Sequence, residues 1–60
     1  METILVGNAL QPLKKDELIK FVQKHNSKIY YHETFGMYIE CYDRKVAKEI
    51  AKKLEELKKN

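Results

Sequence analysis

KIYYHETFGMYIECY, residues 28 to 42, reads as two strands joined by a tight turn. The stretch is rich in isoleucine and aromatic residues, and its single glycine, Gly36, separates two alternating runs. Successive side chains of a strand point to opposite faces. The first run therefore sets Ile29, Tyr31 and Glu33 against Lys28, Tyr30 and His32, and the second sets Met37, Ile39 and Cys41 against Tyr38, Glu40 and Tyr42. The two runs must agree in register. A connection through Thr34, Phe35 and Gly36 pairs Glu33 with Met37, Tyr31 with Ile39 and Ile29 with Cys41, keeping the apolar partners on one side. A connection through Phe35 and Gly36 alone pairs opposite faces. Because a one-residue slip turns the whole apolar set to water, the odd-length turn is expected, with Gly36 at the position that needs positive φ. On the other face the same register sets Lys28 opposite Tyr42, Tyr30 opposite Glu40 and His32 opposite Tyr38.

Outward from this hairpin, helices are expected on both sides. Asp43 is placed as an N-cap, and from about Arg44 to Lys58 the residues Val46, Ala47, Ile50, Ala51, Leu54 and Leu57 form one apolar stripe. Lys58 and Lys59 suit the negative end of that helix dipole. Upstream, Leu18, Ile19, Phe21 and Val22 follow helical spacing between Lys14 and about His25, with Lys14, Lys15, Lys20, Gln23 and Lys24 filling the polar side. Pro12 suits a position just before or within the first turn, Asp16 and Glu17 favour the helix start, and Asn26 can take the left-handed conformation that ends a helix. Residues Thr3 to Leu10 read as a first strand that weakens at Gly7 and Asn8 and stops at Gln11 and Pro12.

The order is thus β-α-β-β-α in a single α+β domain spanning residues 1–60. A right-handed crossover from the first strand puts both helices on one face, and the third strand fits between the other two, giving a two-layer sandwich with strand order 1-3-2. The layout resembles a ferredoxin-like or ACT-like fold lacking its last strand. The resemblance is one of topology over the whole chain, and it implies a fold without implying a function. The covered face is expected to hold Ile4 and Val6, or Leu5 in the other register, with Ile29, Tyr31, Met37, Ile39 and Cys41 under Leu18, Phe21, Val22, Ile50 and Leu54.

Size and charge limit the functions open to such a chain. Sixty residues with one cysteine have neither a disulfide nor a metal-ligand spacing to staple a small core. The apolar run Ile4, Leu5, Val6 is far too short for a signal-peptide core or a membrane span, so the expectation is a cytoplasmic protein with no membrane partner. The formal net charge of +3 falls on the segments read as helices, whereas residues 1–13 and 26–42 carry a slight negative excess. Arg44 is the only arginine, and lysine is a hydrated point charge rather than the planar fork that grips phosphates and bases.

The open face of the sheet carries the functional expectation. Lys28, Tyr30, His32, Tyr38, Glu40 and Tyr42 form a ring-bearing surface that the core does not require, and tyrosine is enriched where proteins meet. A protein-interaction module is expected, one that forms a homodimer or docks on a protein partner through this face or through the edge of the first strand. The alternative is a single-stranded nucleic-acid binder that stacks bases on the sheet aromatics, with lysines tracking the backbone. Against that, the lysines lie on the helices behind the aromatic face. An enzyme is not expected, nor a cofactor. His25, His32 and Cys41 show no clustered spacing, Gly7 and Gly36 are too far apart for a phosphate loop, and Cys41 reads as a small buried hydrophobe.

Overall fold

A computed structural model describes residues 1–8 and 10–59, so Ala9, within the expected first strand, lies outside the described residues. The elements are β1 (Glu2–Gly7), α1 (Pro12–Lys24), β2 (Lys28–His32), β3 (Gly36–Cys41) and α2 (Arg44–Lys58). The sheet has three strands in the order β1-β3-β2, and β3 is antiparallel to both neighbours. This is the expected α+β arrangement, with the helices packed against the sheet.

Local chemistry accounts for the element ends. Pro12 opens α1, preceded by Gln11 in extended conformation with no side-chain cap. The helix begins two residues before Lys14, so Asp16 and Glu17 fall beyond its first turn and do not serve its start. At its other end Asn26 takes φ 58°, with its N–H donating to the Gln23 carbonyl and that of Ser27 to the Val22 carbonyl, each at 3.1 Å. That is the paired closure of a Schellman motif. Asp43 caps α2, accepting the Lys45 N–H at 2.9 Å.

The core is one cluster in which Ile39 on the central strand packs with Val6, Met37 and Cys41 beneath Leu18, Val22, Ile50 and Leu54, and it includes Leu10 and Leu57. Full burial of such a side chain stabilises by about 1.5–3 kcal/mol. Ile4, rather than Leu5, faces this core, while Phe21 is only partly buried and Ala51 is exposed at the margin of its stripe. Burial, followed by the nearby Glu2 carboxylate, raises the Cys41 thiol above its ordinary value. Its Sγ lies 3.8 Å from the Glu2 carbonyl oxygen. The helices run along each other with polar ties: Lys14 Nζ donates to the Leu57 carbonyl at 2.9 Å, Lys53 pairs with Glu17 at 2.9 Å, and His25 Nε2 lies 3.0 Å from Glu49.

The hairpin register differs from the expected one by two residues. Ile29 pairs with Ile39, Tyr31 with Met37 and His32 with Gly36, so the connection is Glu33, Thr34 and Phe35. Side-chain contacts within the turn account for the shift: the Thr34 N–H donates to His32 Nδ1 at 3.0 Å, and Phe35 stacks on the His32 ring at 3.8 Å. The connection keeps its odd length, so every residue keeps its face, and Gly36 has φ 79°. Glu33 leaves the strand for the turn. Tyr31 is the second correction. It pairs with Met37, yet it is 68% exposed, because β2 is an edge strand that α1 does not fully cover. Beside it an open groove of about 550 Å³ runs between Ile19 and Gln23 of α1 and Ile29 of β2.

Candidate interaction surface

The face of the sheet turned away from the helices is assembled in rows. Thr3 of β1, Glu40 of β3 and Lys28 of β2 form one row, and Leu5, Tyr38 and Tyr30 form the next. Beyond them His32 lies opposite Gly36, where the Asn8 side chain packs close to the glycine backbone. Three expected partnerships are therefore corrected by the two-residue shift: Lys28 opposes Glu40 and not Tyr42, Tyr30 opposes Tyr38 and not Glu40, and His32 opposes Gly36 and not Tyr38. Tyr42 falls past the end of β3 and is 79% exposed, outside the paired rows.

The corrected register brings the rings closer together than the expected one. Tyr30 and Tyr38, directly across the strands, stack with centroids 5.4 Å apart and planes 21° apart. Phe35 folds back from the turn to lie on His32 at 12°, and it meets Tyr38 edge-on at 6.5 Å. A continuous chain of rings thus runs His32, Phe35, Tyr38, Tyr30. Both stacked and edge-on contacts suit the ring quadrupole and hold the rings in place beyond what area burial supplies. Leu5 extends the apolar surface to the edge of β1 and is 62% exposed, with Phe35 at 50%.

Sequence reading missed Phe35, Leu5 and Thr3 as members of this surface. Leu5 was legible in principle, since Ile4 and Val6 claim the covered face and leave it on the other. Phe35 was not, because alternation says nothing about where a turn residue points.

Electrostatically the face is close to neutral. Lys28 is the only strand lysine and stands opposite Glu40, while the other lysines are carried by α1, α2 and the residue that ends α2. The remaining chemistry-bearing residues are dispersed: Cys41 is buried on the opposite face, and His25 closes α1 against Glu49 with Nδ1 at 2.8 Å from the Phe21 carbonyl oxygen. Among the described residues no three His, Cys, Asp or Glu side chains gather to hold a metal ion, and no helix is long and apolar enough to cross a membrane.

No protein-family model, curated protein or solved structure matches the chain.

Proposed function

We propose that this chain is a small, non-enzymatic protein-interaction module of the cytoplasm that associates with a second copy of itself through the open face of its sheet. The observation that carries this reading is the ring chain His32, Phe35, Tyr38, Tyr30, extended by Leu5, on a face that the core leaves uncovered. Rings already locked against one another lose little freedom on contact, which is the property that converts apolar area into affinity. A neutral face also meets its own copy without like-charge repulsion, since each Lys28 arrives with its Glu40. The lone cysteine, buried as a free thiol, is consistent with a reducing compartment.

Binding of single-stranded nucleic acid through the same rings is the weaker reading. A base must stack on an available ring face, and the Tyr30–Tyr38 and His32–Phe35 stacks already cover one face of each of these rings. The lysines that would neutralise phosphates lie on the helices.

The test is the solution mass of the chain, by sedimentation across a concentration range, beside that of the double variant Tyr30→Ser, Tyr38→Ser. An assembly larger than the monomer that loses mass in the variant is expected. A wild-type chain that stays monomeric at high micromolar concentration removes the proposal, and salt-sensitive oligonucleotide binding lost in the same variant would install the nucleic-acid reading in its place.

A further inference from the structure

Resting on that reading of self-association, we infer that the free edge of β1 pairs with the β1 edge of a second copy, joining two sheets into one of twice the width. The two open edges of the sheet are chemically unlike. β2 is guarded: it carries Lys28 and His32 and runs into Glu33, the kind of charged edge that resists strand addition. β1 has the sequence ETILVG, with one charged residue and no proline. That residue, Glu2, is already neutralised within its own chain, its carboxylate lying 3.3 Å from Arg44 Nε. Two β1 edges therefore approach without the repulsion that two β2 edges would meet.

Geometry narrows the pairing. The register of β1 on β3 is regular from Glu2 to Leu5 and shifts between Leu5 and Gly7, so the clean ladder available on its outer side is that same segment. A dyad perpendicular to the sheet keeps the helices of both copies on one side and sets odd-numbered residues opposite odd and even opposite even. The dyad then passes through a residue of this segment. On the helix side it covers the shallow groove beside Ile4 that Ala47 and Ala51 wall. On the open side it turns Leu5 from a rim residue into the middle of the surface.

The area required by face-to-face association supplies an independent reason. Three strands about 4.8 Å apart, rising about 3.3 Å per residue, give a footprint of roughly 14 by 20 Å. Two such faces, each about 280 Å² in plan, cover about 560 Å² in total, well below the roughly 1,200–2,000 Å² of stable interfaces. Edge pairing doubles the footprint to about 1,100 Å² and brings the stacked faces to the lower border of that range. The complete assembly is then a tetramer in which two edge-paired dimers meet ring face to ring face.

The experiment is a cysteine scan in a Cys41→Ala background, with Thr3→Cys, Ile4→Cys and Leu5→Cys oxidised in turn and the products read by mass. A covalent dimer is expected at the position on the dyad and not at the other two. Should Cys41→Ala not fold, Thr3→Lys in the otherwise native chain takes its place. Thr3 is exposed and opposes Glu40, so the lysine suits the monomer while charging the edge, and the assembly is expected to halve in mass. The ring double variant separates the two claims. If it leaves a dimer, and that dimer cross-links through β1, the edge pairing stands. If the wild-type chain is only a dimer that the ring variant turns into a monomer, with no cross-link on β1, the edge inference is overturned and the face reading survives. A wild-type dimer that cross-links through β1 and ignores the ring variant overturns the face reading alone.

Discussion

The two faces of one sheet, built from alternate residues of the same strands, differ in what each asks of its side chains. On the helix side Val6, Met37, Ile39 and Cys41 are all buried, and each is held by contacts from several elements. On the open side Leu5, Tyr30 and Phe35 remain exposed although each carries a large apolar side-chain surface. The first face is explained by stability and the second is not. A chain of this size, without a disulfide, has little spare stability to set against an exposed apolar surface, and that is the ground on which self-association through the open face is proposed.

The sharpest way to break this contrast is Ile39→Ala. Ile39 has no exposed surface and sits on the central strand between Ile4 and Ile29. Truncation at such a site costs about 2–5 kcal/mol, counting both lost transfer energy and the residual cavity. Thermal or urea unfolding should show a loss in that range, enough to leave the monomer largely unfolded. A loss under about 1 kcal/mol would mean that the helix face is far less packed than the core cluster indicates.

Gly36 keeps the two faces distinct, because it closes the odd-length connection that sets the parity of β3 against β2. Its φ of 79° lies where a β-branched residue is strained, and a Cβ there would come within 2.6 Å of the Asn8 side chain. The Asn8 amide is the end of an exposed, flexible side chain and can move aside, so the backbone term governs. Gly36→Val is expected to cost about 1–3 kcal/mol, with Gly36→Asn milder because asparagine tolerates the left-handed region. Equal stability of all three chains by urea titration would show that the turn does not depend on that conformation.

How much of this was readable in advance follows from what each signal measures. Alternation reports the face a residue occupies, so the burial of Met37, Ile39 and Cys41 and the outward position of Tyr30, Tyr38 and Glu40 were both legible. The caps at Asp43 and Asn26 were legible because side-chain oxygen and left-handed tolerance are properties of single residues. Alternation is blind to any slip by two, and that is the error in the hairpin: the His32 ring accepts the Thr34 N–H and stacks with Phe35, drawing the turn back along the chain. The exposure of Tyr31 was hidden for a different reason. Facing the helices is a property of the strand, whereas being covered by one depends on how far α1 reaches over an edge.

The smallest expected effect gives the finest test of the comparison. Tyr30 and Tyr38, the one partly exposed and the other half-buried, stack across the strands on the uncovered face, so their coupling should be about 0.2–1 kcal/mol in a double-mutant cycle built from the Tyr→Ser single variants and the double. The cycle must be measured at a concentration where the chain is monomeric, because in an assembly the same substitutions would also report lost contact with the second copy. The prediction is therefore a pair of numbers: a weak coupling in the monomer, and a larger apparent coupling as concentration rises. A coupling that stays the same at every concentration would mean that the rings serve only the hairpin that carries them.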